Sequence, residues 1–132
     1  MIYIAKSLFE QMIEHSKREF PNEACGILAG KEGRIIKIYR MANTDRSPNS
    51  FFMDPKEQLK VMKEIRNLGL EMVGIYHSHL ETEAYPSEHD VELAFYPEAS
   101  YVIASIKDKD NPSIRSFKIV EGKINEEEVK IE

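Results

Sequence analysis

Apolar positions in three stretches of the chain recur at helical spacing. The stretch Ser7–Phe20 is amphipathic, and Ser7 with Glu10 has the form of a capping box, which predicts an N-terminal helix. Asp54-Pro55 supplies an N-cap and a first-turn proline for a second helix. A short third helix is predicted over Ser87–Phe95. The apolar face of the second helix consists of Leu59, Met62, Ile65 and Leu68, and Gly69 is predicted to end the helix.

Short apolar runs between these helices predict the strands of a sheet. The predicted strands are Ala24–Ala29, Arg34–Met41, Met72–Tyr76, Tyr101–Ile106 and Ile114–Val120. The segment Gly30–Gly33 joins the first two as a hairpin turn, and the charged tail Glu126–Glu132 alternates weakly, as an edge strand does. Helices mixed with strands, some joined by hairpins, favour an α/β (α+β) fold in which helices flank a mixed β-sheet.

The composition is that of an ordinary globular protein. The 132 residues are 42% apolar and 31% charged, which is enough apolar material for one core, so we expect a single domain over residues 1–132. Eighteen basic and 23 acidic residues give a net charge of −5, which argues against a nucleic-acid-binding protein. No apolar run reaches the roughly 20 residues of a membrane span. The segment Met1–Lys6 lacks the pattern of a secretory signal, so we expect a cytoplasmic protein.

The segment richest in chemistry follows the third predicted strand. His77 and His79 are two residues apart, so on a strand their imidazoles point the same way and can face one ion, whereas Ser78 points to the opposite face. Asp90 lies one helical turn beyond Ser87, where its carboxylate can complete the set. Two imidazoles and a carboxylate suit zinc, and three protein ligands leave a position for water, as in catalytic zinc sites.

Each of these residues also has a purely structural interpretation. A histidine at a strand end is commonly just a polar residue near solvent, and Ser87 with Asp90 also forms a passable capping box. His89 is an alternative third ligand on the same helix. His15 has no evident partner and is interpreted as structural, and Cys25 in its apolar strand is typical of a small buried residue rather than a nucleophile. Taken together, however, the strand, the histidine pair and the helix start favour the metal site.

Residues 77–90 have the pattern H-S-H, seven residues, S, two residues, D, which resembles the signature of the JAMM (MPN+) zinc metallopeptidases. The segment Pro21–Gly30 is similar to the glutamate-bearing strand of that family, and parts of the stretch from Asn43 to Tyr76 are similar as well. Several separated elements match in order, to about Ser105, whereas the H-E-x-x-H helix of thermolysin-like proteases is absent.

The resemblance implies roles for five residues. His77, His79 and Asp90 would bind Zn²⁺, with the aspartate rather than the neighbouring histidine as third ligand. Glu23 would act as general base and then as general acid toward the leaving amine. Ser87 would help to stabilise the oxyanion. The local sequence around the glutamate does not by itself single it out, so this assignment depends on the family.

The resemblance also implies a substrate class. The loop Thr82–Ser87 is similar to that of the small stand-alone prokaryotic branch of the family, whose members cleave after the C-terminal Gly-Gly of a ubiquitin-like or sulfur-carrier protein. We therefore expect a zinc-dependent peptidase or isopeptidase with such a carrier as its partner. The diglycine tail would lie along a sheet edge, which the chain order places near Phe51–Asp54.

Two other functions are weighed against this one. A non-catalytic MPN-type interaction module would keep the fold, but such relatives typically lack some of the ligands, and here all five positions are filled. A zinc deaminase has a similar sheet but needs a downstream P-C-x-x-C pair, which a chain with one cysteine lacks.

The sequence leaves a homodimer open, because the apolar faces of Leu8–Phe20 and Leu59–Leu68 suit either core packing or an interface.

Overall fold

An eight-stranded mixed sheet forms the centre of the computed structural model, which describes residues Met1–Glu132. In chain order the elements are β1 (Ile2–Ile4), α1 (Lys6–Glu19), β2 (Cys25–Lys31), β3 (Arg34–Met41), α2 (Pro55–Asn67), β4 (Glu71–His79), α3 (Glu88–Glu92), β5 (Ser100–Ser105), β6 (Ser113–Val120), β7 (Lys123–Glu127) and β8 (Val129–Ile131). The strands lie side by side in the order β7-β6-β5-β4-β2-β3-β1-β8. The pairs β4–β5, β1–β3 and β1–β8 are parallel, and the other pairs are antiparallel. The predicted fold class is confirmed.

Two apolar clusters cover the two faces of this sheet. Helix α1 packs on one face through Met12 and Ile13, in the cluster that contains Tyr76 of β4. Helices α2 and α3 lie on the other face, where Ile65 joins the cluster that contains Ile75 of β4. Because successive residues of a strand point to opposite faces, His77 and His79 share the α2 and α3 side with Ile75, and Ser78 shares the α1 side with Tyr76.

Both two-residue hairpin turns of the sheet are Glu-Gly pairs. Glu32 and Gly33 have φ angles of 51° and 78°, and Glu121 and Gly122 have φ angles of 50° and 78°. Positive φ at both central positions is the geometry that suits the twist of the flanking strands in such a hairpin. The first turn joins β2 to β3 as predicted, and the second adds β7, which the sequence pattern did not predict.

The starts of the two long helices differ in how well the sequence predicts them. Asp54 caps α2 by accepting a hydrogen bond from the backbone of Lys56, with a proline in the first turn, as predicted. Helix α1 begins at Lys6, its N-cap is Ala5 and no side chain caps it, so the predicted capping box at Ser7 is wrong. Neither helix is long and apolar enough to cross a lipid bilayer.

The apolar face predicted for α2 is wrong at its two ends. Leu59 and Leu68 are 57% and 53% exposed, whereas Ile65 packs toward the sheet as predicted and Val61 packs beside it. Helix α3 is also shorter than predicted, since it ends at Glu92. The chain beyond α3 therefore leaves large apolar side chains near the surface beside the strand that carries the histidine pair.

Candidate active site

Three predicted site residues meet where β4 ends. The Nε2 atoms of His77 and His79 are 3.1 Å apart, and Oδ2 of Asp90 lies 3.1 Å from each of them. The two imidazoles come from alternate positions of one strand, and the carboxylate reaches them from the first turn of α3. Their side chains are only 3%, 6% and 7% exposed. The structure thus brings together three atoms that all bind metal ions.

The start of α3 holds this carboxylate in place. The backbone N–H of Asp90 donates to Oγ of Ser87 at 3.1 Å, and the backbone N–H of Ser87 donates to Oδ2 of Asp90 at 2.9 Å. This is a reciprocal capping box, and the oxygen that caps the helix also faces the two imidazoles. The structural and the metal-binding interpretations of Asp90 are therefore compatible. His89, on the same helix, is exposed and lies outside the cluster.

The tautomer of one histidine follows from its hydrogen bond. Nδ1 of His79 donates to the carbonyl oxygen of Glu83 at 2.9 Å, so in the neutral ring the lone pair of Nε2 points at the cluster. Nitrogen and oxygen atoms this close together are held by a shared proton or by a cation. In a tetrahedral zinc site with bonds of about 2.0–2.1 Å, ligand atoms lie about 3.3 Å apart. The donor set and its spacing fit a divalent cation such as zinc.

The pKa values of the cluster favour a positive partner. Burial lowers the pKa of His77, against the hydrogen bond to Asp90. Burial acts in the same direction on His79, but hydrogen bonds with Asp90 and Glu83 outweigh it and raise the pKa. Burial alone would raise the pKa of Asp90, yet its contacts with both histidines hold it well below its usual range. The aspartate is therefore a carboxylate at neutral pH, ready to bind a cation.

Glu23 lies beside the cluster as a buried carboxyl group. It lines a cavity of about 400 Å³ together with His79 and Ser87, and it is only 4% exposed. Its Oε1 atom has no hydrogen-bond partner. Burial raises the pKa of Glu23 to about 8, with the charge of Asp90 acting in the same direction and that of His79 opposing it. A carboxyl group with such a pKa can accept and return a proton near neutral pH.

Ser87 is exposed on the lining of the same cavity. Its Oγ atom accepts the hydrogen bond from the backbone of Asp90, which leaves the hydroxyl hydrogen free to donate. The geometry thus offers one hydrogen-bond donor toward the cavity, next to the carboxyl group of Glu23 and the imidazole of His79.

Phe51, in the segment expected to lie near the diglycine tail, forms an aromatic wall of the site that was not predicted. Its ring stacks on that of His77, with centroids 4.7 Å apart and planes 24° apart. The expectation of a sheet edge near Phe51–Asp54 is wrong, because this segment forms no strand and the edges are β7 and β8. Instead the segment lines a small apolar cleft of about 100 Å³, which Phe95 and Tyr96 also line. Two consecutive phenylalanines after a polar loop are the signal that points to such a wall.

Two residues of types that often act in catalysis lie outside the site. Cys25 is fully buried, and burial raises the pKa of its thiol to about 12, so it is a neutral thiol and not a nucleophile, as predicted. His15 is a buried residue of α1, and its Nδ1 atom lies 2.7 Å from the hydroxyl of Tyr76. It is structural, as predicted, although it does have a partner.

Comparison with known proteins shows the family. Residues 5–120 match the family described as prokaryotic homologs of the JAB domain, a span that contains Glu23 and the whole histidine–aspartate cluster. The chain belongs to this JAMM-type family. The resemblance inferred from the sequence is confirmed.

The JAMM-type domain has relatives along its whole length. The CysO-cysteine peptidase of Mycobacterium tuberculosis is 43% identical over 133 residues, which cover 99% of this chain and 91% of that protein. A probable TtuB-protein conjugate cleaving protease of Thermus thermophilus is 31% identical, covering 92% of this chain and 78% of that protein. A solution structure of a protein from Desulfitobacterium hafniense has a TM-score of 0.92 at 40% identity, covering 100% and 93% of the two chains. The chain is accordingly an enzyme, a JAMM-type hydrolase, and not a non-catalytic module.

Proposed function

We propose that this hydrolase is a zinc-dependent peptidase or isopeptidase that cleaves after the C-terminal Gly-Gly of a ubiquitin-like or sulfur-carrier protein. The observation that carries the proposal is the convergence of His77, His79 and Asp90 beside the buried, unpartnered carboxyl group of Glu23. The names of the relatives support the substrate class, since one refers to CysO-cysteine and the other to TtuB conjugates. In this proposal residues 1–132 act as one domain.

His77, His79 and Asp90 hold the ion in the proposed site. The carbonyl oxygen of Glu83 orients one imidazole, and the backbone N–H of Ser87 orients the carboxylate, as groups behind metal ligands usually do. A bound zinc ion supplies Lewis-acid polarisation of the substrate carbonyl and lowers the pKa of coordinated water toward about 7.

Glu23 moves the proton in this mechanism. Its Oε1 atom has no other partner, and the residue lines a cavity that it shares with His79, so the carboxyl group can accept a proton from the attacking water. The same carboxyl group then donates that proton to the amine that leaves. Burial raises the pKa of this carboxyl group above its ordinary value, which makes its carboxylate a stronger proton acceptor.

Ser87 stabilises the negative charge that develops on the substrate carbonyl oxygen. Its hydroxyl hydrogen is free to donate toward the cavity, since the oxygen already accepts from the backbone of Asp90. A donor held in this way needs little reorganisation when the oxyanion forms, which is the condition for effective electrostatic stabilisation.

The tail of the carrier enters past the aromatic wall that Phe51 forms over His77. Glycine residues at the end of the tail let its backbone approach this wall and the cluster closely, because they carry no side chain. The apolar cleft beyond Phe51, with Phe95 at its rim, offers a contact for an apolar part of the carrier. The segment Phe51–Asp54 forms no strand, so this placement rests on the aromatic wall and the cleft rather than on an existing sheet edge.

The test compares Glu23→Gln with Glu81→Gln, because both glutamates line the same cavity but only the first is buried. The substrate is a ubiquitin-like carrier whose Gly-Gly end is extended by a cysteine, and its hydrolysis is followed by mass spectrometry. We expect the wild-type protein to bind close to one zinc ion. Glu23→Gln should fold and keep the zinc, while kcat falls about 10²–10⁴-fold, the usual contribution of a general base.

Glu81→Gln should retain wild-type activity, because its carboxylate is solvated and has no proposed role. Full activity in Glu23→Gln would contradict the mechanism even if zinc were bound. Activity that survives complete removal of the metal by a chelator would contradict the metal site itself.

A further inference from the structure

Ser78, the residue between the two histidines, binds the backbone next to Glu23. Its own N–H donates to the carbonyl oxygen of Ala24 at 3.0 Å, and its Oγ atom accepts from the N–H of Ala24 at 2.8 Å. The register of β2 and β4 pairs Cys25 with His77, so Ala24 and Ser78 are the next pair. In a regular antiparallel ladder both bonds of such a pair join backbone groups. Here the hydroxyl takes one of them, and Ser78 is fully buried.

The side chain of Asn43, in the loop after β3, also binds the backbone of Glu23. Its Nδ2 atom donates to the carbonyl oxygen of Glu23 and to that of Ser50, both at 3.0 Å. Its Oδ1 atom accepts from the N–H of Asp45 at 3.0 Å and from the N–H of Phe52 at 3.1 Å. All four hydrogen-bonding positions of this amide are used within the chain.

These contacts connect the proposed general base to the metal-binding strand on one side and to the aromatic wall on the other. Ser78 ties the backbone at Ala24 to the strand that carries His77 and His79. Asn43 ties the backbone of Glu23 to the loop that ends at the wall formed by Phe51. The side chain of the glutamate has no partner of its own, so its position relative to the metal ligands depends on how its backbone is held.

We propose that Ser78 and Asn43 are positioning residues for Glu23. They set the distance between the carboxyl group of Glu23 and the metal-binding histidines without touching the substrate or the ion. The inference rests on the proposed role of Glu23 as general base. Small errors in such a distance are costly, since a displacement of about 1 Å can lower a rate by about 10²-fold.

The first test is Ser78→Ala with Ser116→Ala as its matched control. Ser116 is also fully buried on a strand, and its Oγ atom donates to Glu127 at 2.8 Å, remote in sequence from the site. We expect Ser78→Ala to lower kcat about 10–100-fold on the carrier–cysteine substrate, with KM and zinc content unchanged. Ser116→Ala should lower the melting temperature similarly but leave kcat within about twofold of wild type.

Two further readouts separate positioning from a loss of stability. Hydrogen exchange of the Ala24 amide, followed by NMR in metal-free protein, should accelerate in Ser78→Ala and stay slow in Ser116→Ala. Ser78→Thr retains the hydroxyl acceptor, so it should recover most of kcat relative to Ser78→Ala.

The second test is Asn43→Asp, with Asn125→Asp as a control for the added negative charge on an exposed strand residue. The aspartate keeps the size and the two accepted bonds but replaces the Nδ2 donor with an oxygen that faces two carbonyl groups. We expect kcat to fall about 10–100-fold with unchanged KM and zinc content, and no change in Asn125→Asp. This variant tests the inference independently if Ser78→Ala fails to fold.

The outcomes distinguish the inference from the function on which it rests. If wild type hydrolyses the substrate and Glu23→Gln does not, but Ser78→Ala and Asn43→Asp match their controls in kcat, the positioning role is wrong and the proposed function stands. Equal kcat in Ser78→Thr and Ser78→Ala would also overturn the role of the hydroxyl. If Glu23→Gln is fully active, the proposed mechanism fails first.

Discussion

The buried histidines on the two sides of β4 differ in whether their nitrogen atoms have hydrogen-bond partners that match them. On the α1 side, His15 lies 2.7 Å from the hydroxyl of Tyr76, and its other nitrogen is 3.5 Å from Glu19. On the α2 and α3 side, His77 and His79 face each other and a carboxylate oxygen at 3.1 Å, beside an unpartnered glutamate. One face pairs donors with acceptors, whereas the other collects groups that need a cation or a proton between them.

The difference shows why burial of a histidine alone does not identify a site. Gly26 allows the ring of Tyr76 to pack against β2, since a Cβ atom at that position would lie 2.2 Å from the ring. The pair that this packing buries is satisfied, so it stabilises the interface with α1 and has no further chemistry. The His77 and His79 pair is also buried, but its two Nε2 atoms face each other and a carboxylate oxygen. This arrangement needs a bound cation or a proton between the atoms.

The largest effect that separates the two faces is expected from the same substitution made on each side. His79→Ala removes a proposed metal ligand, so zinc content should fall far below one ion per chain. The loss of the Lewis acid corresponds to several kcal/mol of transition-state stabilisation, and kcat/KM should fall at least about 10³-fold. Zinc content is measured by elemental analysis, and activity is measured with the carrier–cysteine substrate. Retention of stoichiometric zinc and activity in His79→Ala would show that the cluster is not the metal site.

His15→Ala should have the reverse profile. It leaves the buried hydroxyl of Tyr76 without its partner and opens a cavity under α1, which together cost about 2–4 kcal/mol of unfolding free energy. Zinc content and kcat should remain within about twofold of wild type. Urea unfolding and steady-state kinetics on the same preparation check this. A fall in kcat comparable to that of His79→Ala would contradict the division of roles between the two faces.

Local signals predict much of the fold. Strand β3 has the predicted bounds, Arg34–Met41, and the glycine turn Gly30–Gly33 marks its start. The edge strand predicted within Glu126–Glu132 is present as β8, whereas β1 has three residues, which is too short for an alternation to show, and its parallel pairing with β8 joins the two ends of the chain. The existence of β1 depends on contacts that no local window of sequence contains.

The candidate site divides in the same way. His77, His79 and Asp90 can be predicted as a cluster because strand spacing and a helix start bring them together over a short stretch of chain. Glu23 was proposed only through the family resemblance, because what makes it special is burial and the absence of a partner, both of which arise from distant segments. Asn43 lies in a polar loop, and only the folded chain shows that its amide reaches the glutamate.

The smallest expected effect is a change in the free energy of unfolding of metal-free protein on Glu23→Gln. The sign of this change tests the electrostatic difference between the two faces. Burial raises the pKa of Glu23 from an ordinary 4.5 to about 8. Between these values the folded chain keeps the proton that the unfolded chain releases, so rising pH favours unfolding. The wild-type protein should therefore lose stability from about pH 5 to pH 8 through this group, and the neutral glutamine should not. At pH 8 the variant should be more stable by on the order of 2 kcal/mol.

Urea unfolding of chelator-treated protein at pH 5 and pH 8 measures this difference. Glu81→Gln serves as the control, because Glu81 is exposed and should give no pH-dependent gain. If Glu23→Gln is no more stable than wild type at pH 8, the carboxyl group is already ionised in the metal-free protein and its burial does not hold a proton. A gain that grows with pH would mean that the substitution expected to lower kcat also relieves a destabilising charge. The site face of β4 would then be less stable than the face under α1 because of the groups that its chemistry requires.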